Sequence, residues 1–190
     1  MYYGVHNQKS MKNIILLILI IIPLHSFSQE AQHAVQIPVD QDTHKIMYRE
    51  VVAQEGMKDI LYNRAAEWLR SYYVNPNSVV KVLDKVNGKI EGTGRMNIFF
   101  KDKDGTSRNA GMILYNLNLE FKDNKYRYTL FDFNLKSESR SPLEKWLNKS
   151  DPAYNEQWDI YLFQVDTTMQ RLVKSLKTAM QPKVAKKDEW

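Results

Sequence analysis

Two aspartates and a glycine in a short polar segment are the first candidates for a chemical site. Asp102, Asp104 and Gly105 have the spacing with which a calcium-binding loop begins. Such a loop needs further oxygen ligands and an acidic residue at its twelfth position, which is Ile113 when the count starts at Asp102. The sequence therefore favours an acidic turn between two strands over a calcium site.

Two glycines separated by one residue could hold a phosphate group. Gly92 and Gly94 would do so only between the end of a strand and the N-terminus of a helix. Here strand-like sequence continues from Met96 to Phe100 instead. The pair therefore favours a bulge, or a helix that crosses close over the strand.

Imidazole and hydroxyl groups are too scattered for an evident zinc site or hydrolase. His33 and His44 are the only histidines beyond the N-terminal segment, whereas a zinc site needs three or four rigidly held ligands. Ser137, Ser139 and Ser141 have no histidine near them and no Gly-x-Ser-x-Gly motif. The absence of cysteine excludes disulfides and thiolate chemistry. We predict no catalytic, cofactor-binding or metal-binding residues and interpret the protein as a non-enzyme.

The N-terminal segment has the order of a secretory signal peptide. Positive charge at Met11–Asn13 precedes nine apolar residues, Ile14–Ile22, and small residues precede a cleavage site at Ser28/Gln29. The apolar run is shorter than the roughly 20 residues that span a bilayer. We predict a signal peptide over residues 1–28, with Met11 as an alternative start. The protein would then be periplasmic or secreted, without a transmembrane anchor after cleavage.

The composition predicts one globular domain that does not bind nucleic acid. Of 190 residues, 43% are hydrophobic and 26% are charged. The net charge is +5, falls to +3 without the signal peptide, and is mixed along the chain. A cluster of Lys183, Lys186 and Lys187 stands beside two acidic residues, which is typical of a solvated tail. We predict that residues 181–190 are disordered.

Hydrophobic periodicity predicts an α+β domain over residues 46–180, after a flexible lead over residues 29–45. Between the second and third strands, a four-residue loop sets Asp84 opposite Lys89 and is favoured over a two-residue loop that sets Asp84 opposite Glu91. A short helical segment is expected at Pro142–Leu147. The predicted strands are Ile46–Val52, Val79–Asp84, Lys89–Lys101, Gly111–Phe121 and Tyr126–Lys136, and the helices are Met57–Tyr73 and Asn155–Met180.

The last two strands form the clearest hairpin, and strict alternation assigns their side chains to two faces. One face has the apolar pairs Phe121–Tyr126, Leu119–Tyr128 and Leu117–Leu130. The other has Glu120–Arg127, Asn118–Thr129, Asn116–Phe131, Leu114–Phe133 and Met112–Leu135.

The second face, which mixes amide and aromatic side chains, is the candidate binding surface. The alternative is that its rings belong to the core, under the C-terminal helix or under Pro142–Leu147. The candidate residues are Asn97, Phe99, Asn116, Asn118, Arg127, Thr129, Phe131 and Phe133.

Several short motifs stand in a characteristic order between Pro38 and Leu135. They are Pro38-Val39-Asp40, Lys45-Ile46-x-Tyr48-x-Glu50-Val51-Val52, Gly56, Leu61-Tyr62-x-Arg64-Ala65-x-x-Trp68, Gly88-Lys89-Ile90-x-Gly92-x-Gly94 and Phe121-Lys122-Asp123-x-Lys125-Tyr126-Arg127-Tyr128. Together they resemble a secreted bacterial family described as a domain of unknown function with a TATA-box-binding-protein-like (TBP-like) fold. The resemblance implies a curved antiparallel β-sheet with two helices packed on one face, in the order β-α-β-β-β-β-α. It implies no activity, cofactor or catalytic residue, and the fold name does not bring DNA binding with it.

Three functional hypotheses follow. The first is a non-catalytic periplasmic module that binds an envelope protein, a peptide or a glycan. The alternative is an envelope assembly or scaffolding protein that acts through oligomerisation or through an exposed apolar stripe on Asn155–Met180. The third is a hydrolase, for which Asp132 and Glu120 could form the carboxylate pair of a glycosidase. The sequence predicts no oligomeric state.

Overall fold

The computed structural model of the chain describes Met1, Tyr3 and residues 37–182. The predicted signal peptide beyond Met1 and Tyr3, residues 29–36 of the predicted lead, and residues 183–190 of the predicted tail lie outside the described residues. Within the described residues, no helix combines the length and the apolar character needed to cross a membrane.

A six-stranded antiparallel sheet and two α-helices form the domain; the five predicted strands and both helices are present, and the short sixth strand was not predicted. The strand order is β1-β5-β4-β3-β2, and β6 pairs with β5. Two short 3-10 helices cover Pro76–Ser78 and Leu143–Leu147. The strands are β1 (Met47–Ala53), β2 (Val80–Asp84), β3 (Lys89–Lys101), β4 (Ser107–Lys122), β5 (Lys125–Leu135) and β6 (Ser141–Pro142), and the helices are α1 (Lys58–Tyr72) and α2 (Gln157–Met180).

Helix α1 packs on the sheet through one apolar stripe of its surface. Leu61, Ala65 and Leu69 recur at a spacing of four residues and are all buried. Trp68 is also buried, and its indole Nε1 donates a hydrogen bond to Ser175 Oγ of α2 at 3.0 Å. This contact joins the two helices on one side of the sheet.

Helix α2 buries its apolar stripe within the same core. Trp158, at the start of the stripe, remains half-buried, and Arg64 of α1 donates to the carbonyl of Met180 at 3.0 Å at its end. The packed stripe contradicts the version of the scaffold hypothesis in which α2 keeps it free for a partner. The buried stripe residues are Leu162, Val165, Met169, Leu172, Leu176 and Met180.

The β4–β5 hairpin has the predicted register from its turn as far as Asn116 opposite Phe131. Its helix-packed face carries the three predicted apolar pairs, and its other face carries Glu120 opposite Arg127 and Asn118 opposite Thr129. The loop between β2 and β3 sets Asp84 opposite Lys89, so the favoured four-residue loop is also confirmed.

A β-bulge in β5 breaks the predicted alternation beyond Phe131. Opposite the single residue Tyr115, β5 has two residues, Asp132 and Phe133, and Asp132 has a left-handed backbone with a φ of 57°. The extra residue turns Phe133 to the helix-packed face, which the uninterrupted alternation did not predict. The structure pairs Leu114 with Asn134 and Ile113 with Leu135, so the predicted pairs Leu114–Phe133 and Met112–Leu135 are wrong.

Strand β3 runs straight through both of its glycines, so they do not form a phosphate loop. A Cβ atom added to Gly94 would collide with the ring of Tyr115, which lies across the strand. The register of β2 against β3 shifts beside Gly92, where an added Cβ would lie 2.9 Å from the carbonyl oxygen of Val79. The extra residue of this bulge is Lys81 of β2, so the bulge lies opposite Gly92 and not within β3, where it was predicted. The close contact at Gly94 comes from a cross-strand ring rather than a crossing helix.

The folded domain begins before the predicted boundary at Ile46. Ile37 is buried, and Val39 pairs with Ile46 in an isolated antiparallel bridge. Between them Asp40 Oδ1 accepts hydrogen bonds from the backbone N–H of Thr43 at 2.9 Å and from its hydroxyl at 2.7 Å. Residues 37–45, predicted as part of a flexible lead, therefore form an ordered turn that packs on the core.

Candidate functional site

A cavity of about 430 Å³ lies on the sheet face opposite the helices, at the bulge in β5. Side chains of β3, β4 and β5 form its floor, and residues 136–140 form a wall over it. It is a shallow cavity that is largely open to solvent rather than an enclosed one. The floor residues include Thr93, Leu114, Asn116, Asp132, Asn134 and Leu135.

A hydrogen-bonded network fixes the carboxylate of Asp132 in this cavity. Arg140 forms an ion pair with Oδ1, and the amide of Asn134 donates to the same oxygen at 3.1 Å. The amide of Asn116 donates to Oδ2 at 3.4 Å and accepts from the Thr93 hydroxyl at 3.2 Å. Three strands and the following loop thus bring one carboxylate, two amides, a hydroxyl and a guanidinium group together.

The strand pairing would be regular without the extra residue that carries this carboxylate. On either side of the bulge the β4–β5 ladder has the register of a regular hairpin with Asp132 left out. Asp132 also adopts the left-handed region, which costs a non-glycine residue about 1–2 kcal/mol, although aspartate tolerates it better than most. Strained residues that packing does not explain occur preferentially at functional sites.

The structure brings some of the predicted site residues to this surface. Asn116 lines the cavity, and Phe131 lies half-buried between Met47 and Asn116 on the same face. Asn118 is partly exposed on that face, and Arg127 is exposed but forms an ion pair with Glu120, with Nε 2.7 Å from Oε2. Asn97 and Phe99 are exposed on β3 but do not line the cavity.

Two predicted site residues are not accessible. Phe133 is fully buried on the helix-packed face, where its ring lies 5.8 Å from the rings of both Tyr48 and Tyr115. Its assignment to the binding surface was wrong because of the bulge. Thr129 is on the predicted face but is only 7% exposed, in the middle of the sheet between Arg49 and Asn118.

Most of the cavity residues carry no signal in the sequence pattern. Thr93, Asn134 and Arg140 were not predicted, and Asp132 was considered only as a glycosidase carboxylate with Glu120. These two acids lie five residues apart along the ladder, about 16 Å, and each has its own arginine partner. The structure therefore does not bring them together. An acidic residue flanked by two phenylalanines in a strand was the one signal that could have drawn attention to the site.

The ionised groups on the helix side connect β1 to α2. Glu50 accepts from Lys177 Nζ at 2.6 Å and from the Tyr128 hydroxyl at 2.7 Å. These two donors lower the pKa of Glu50 below its usual value. The Tyr48 hydroxyl donates to Asp166 at 2.9 Å, and burial is the main cause of its raised pKa. These contacts hold the helix in place.

The acidic segment at Asp102 is a turn, as predicted. Asp102 Oδ1 accepts from the backbone N–H groups of Asp104 at 3.1 Å and Thr106 at 2.9 Å. Its other oxygen lies 2.5 Å from Arg108 Nε. Within the part of the chain that the structure describes, no three His, Asp or Glu side chains are grouped as metal ligands would be.

The comparisons with known proteins agree with this fold and confirm the resemblance seen in the sequence. Residues 48–136 match the model of a family described as a domain of unknown function (DUF4468) with TBP-like fold. A DUF4468 family protein from Bacteroides ovatus has a similar structure, with a TM-score of 0.61 and 15% identity over 79% of this chain and 93% of that one. A TBP-like protein from Parabacteroides distasonis has a TM-score of 0.60 and 14% identity over 76% and 96%. A search of curated proteins finds no significant match. At these identities the likeness shows the fold alone.

Proposed function

Because residues 48–136 belong to the DUF4468 family, whose description names no activity, we propose a function from the geometry: an exported, non-catalytic module that binds a saccharide unit of an envelope glycan. One observation supports it above the others. A strained extra residue holds a carboxylate among two amides and a guanidinium group on a sheet face that no described helix covers.

The chemistry of the cavity suits a neutral polyhydroxylated ligand. Saccharide hydroxyls both donate and accept, so each can pair with a carboxylate or amide oxygen on one side and an amide or guanidinium N–H on the other. Asp132, Asn116, Asn134 and Arg140 offer these groups on rigid strands or beside them. Their mutual hydrogen bonds hold them in position before any ligand arrives, which reduces the entropy lost on binding.

Export is part of the same proposal. The predicted signal peptide would deliver the folded domain to the periplasm or to the outside of the cell, where envelope glycans are located. We expect the protein isolated from an envelope fraction to begin at Gln29, as measured by intact mass. A protein that keeps residues 1–28 and stays in the cytosol would contradict the export part of the proposal.

Binding can be measured by NMR on the ¹⁵N-labelled mature protein. The probes are a panel of neutral, amino and acidic monosaccharides and disaccharides at millimolar concentration. We expect shifts confined to the cavity residues and a dissociation constant in the millimolar range for a single sugar, about −4 kcal/mol. Asp132→Asn and Asn116→Ala should weaken binding at least tenfold. Asn118→Ala, an amide on the same face outside the cavity lining, is the matched control and should bind normally.

Two outcomes would contradict the proposal. A weak single-site ligand is expected to have a dissociation constant of about 1 mM. The first contradicting outcome is that no sugar of the panel, at about 20 times that concentration, shifts any resonance of a cavity residue. The other is that Asn118→Ala and Asn116→Ala lose the same amount of affinity, because binding would then not be located in the cavity.

A further inference from the structure

Strand β3 has a neighbouring strand on only one side over part of its length. β2 pairs with β3 from Lys89 to Gly92, and the last contact on that side is the Thr93 N–H, which donates to the Val79 carbonyl at 2.8 Å. β3 then continues to Lys101, paired with β4 alone among the described residues. This leaves an exposed edge in the middle of the sheet rather than at its outermost strand.

Backbone alternation identifies which groups face outward along this edge. Thr93 and Phe99 both direct their N–H groups away from β4, to Val79 and to Gln164 respectively. In a strand, every second residue does the same. The N–H and C=O groups of Arg95 and Asn97 therefore face outward, and both residues are exposed. They offer two adjacent rungs of a ladder, about 7 Å apart.

A side-chain amide already occupies the next rung of the same edge. Gln164 Oε1 accepts from the Phe99 N–H at 2.9 Å, and its Nε2 donates to the Phe99 carbonyl at 2.7 Å. These are the two hydrogen bonds that a residue of an added antiparallel strand would make. At one end of the edge, the Gln164 side-chain amide therefore takes the place of a residue in a neighbouring strand. At the other end, the Val79 carbonyl accepts the outward N–H of Thr93.

We propose that the outward-facing rungs at Arg95 and Asn97 bind an extended, acidic peptide segment of another exported protein by strand addition. This surface adjoins the cavity at Thr93 but consists of the outward backbone groups of β3. The inference shares the export part of the proposed function and does not depend on glycan binding. Backbone hydrogen bonds would supply affinity, and the side chains at the edge would supply selectivity. The four outward groups lie between two rungs that the chain itself fills, so they fit a short segment rather than a long one.

Charge and apolar exposure define the partner. Arg95 is exposed, and its guanidinium group donates a hydrogen bond to the Ser78 hydroxyl at 3.0 Å. Among the ion pairs of residues 37–182 it has no acidic partner. Arg95 therefore favours a carboxylate on the bound segment. Phe99 is 42% exposed and Phe163, next to Gln164, is 49% exposed, which favours an apolar side chain at that end. A second copy fits less well. Antiparallel pairing of two such edges would set two Arg95 side chains on one face as near neighbours.

The test uses the full mature chain and a displayed library of random nine-residue peptides. We expect enriched sequences with alternating apolar residues and at least one acid. The best of them, made as a fluorescent synthetic peptide, should bind with a micromolar dissociation constant. Asn97→Pro removes an outward N–H and should weaken binding at least tenfold, whereas Asn97→Ala keeps the N–H and should change it less than threefold. Arg95→Ala should weaken binding and reduce its dependence on salt.

Amide hydrogen exchange provides a second measurement that does not depend on a variant that folds. In the free monomer the Arg95 and Asn97 amides should exchange much faster than those of Met96 and Ile98, which face β4. Bound peptide should protect both.

Four results would each overturn the inference. They are an unenriched library, equal binding by Asn97→Pro and Asn97→Ala, slow exchange of both outward amides in the free monomer, and protection that appears with protein concentration as the chain dimerises. The last would identify a second copy as the occupant.

Discussion

Deleting Asp132 separates what the bulge does for the fold from what it does for the cavity. Without this residue Phe133 would lie opposite Tyr115, and Asn134 and Leu135 would keep the β4 partners that they have now. We therefore expect a regular β4–β5 ladder in which Phe133 remains in the core. The deletion removes the carboxylate that Arg140, Asn134 and Asn116 surround.

The energetic terms of this deletion are small and of opposite sign. Removing a left-handed non-glycine residue gains about 1–2 kcal/mol, less for aspartate. Losing the pair with Arg140 forfeits about 0–1 kcal/mol, because the two side chains are 65% and 33% exposed. The amides of Asn116 and Asn134 stay within reach of water. We expect the free energy of unfolding to change by less than about 1 kcal/mol, a shift in Tm of about 2–4 °C at most.

Urea unfolding followed by circular dichroism measures this change, and the sugar titration measures the loss of the site. The matched control is deletion of Thr129, one residue from the same strand. That deletion exchanges the two faces along one part of β5 and should abolish cooperative unfolding. A loss of more than about 3 kcal/mol on deleting Asp132 would contradict this prediction, because it would show that core packing needs the bulge.

Three further predictions concern the core. Phe133→Ala should lower the free energy of unfolding by about 3–5 kcal/mol, because Phe133 is fully buried. Phe131→Ala empties a half-buried position and should lower it by less than half as much. Equal losses in urea unfolding would contradict the assignment of Phe133 to the core by the bulge. Gly94→Ala should cost at least about 1–3 kcal/mol, seen as a lower Tm, because its Cβ would meet the ring of Tyr115. Burial raises the pKa of Tyr115 and of Tyr126 to about 12 each. Their neutral forms therefore stabilise the fold fully below pH 10, and that stability should fall between pH 10 and pH 12 in urea titrations; a flat profile would contradict it.

The sequence predicted those elements whose pattern depends on one periodicity. The stripe of α2 and the hairpin up to Asn116 and Phe131 follow from spacings of 3.6 and 2 residues, and both are confirmed. The favoured loop with Asp84 opposite Lys89 followed from charge pairing, and it too is confirmed.

The cavity escaped prediction because it depends on an interruption of a pattern. A stretch reading Phe131-Asp132-Phe133-Asn134 alternates well enough to pass as regular strand, so nothing in it distinguishes an extra residue. The burial of Thr129 depends on neighbours from two other strands. Arg140 reaches the cavity because residues 136–140 reverse the chain between β5 and β6 and line the cavity, a path that no local sequence pattern encodes.

The contribution of α2 also affects how recombinant fragments should be cut. The family match ends at residue 136, yet α2 fills one side of the core and receives hydrogen bonds from Trp68 and Arg64 of α1. A fragment trimmed to the match would expose the apolar, helix-packed face of the sheet to solvent. It would therefore be prone to aggregation and proteolysis. Expression limits taken from residues 37 and 182 keep both the N-terminal turn and the closing helix, so the matched sequence is a poor guide to the autonomous folding unit of this protein.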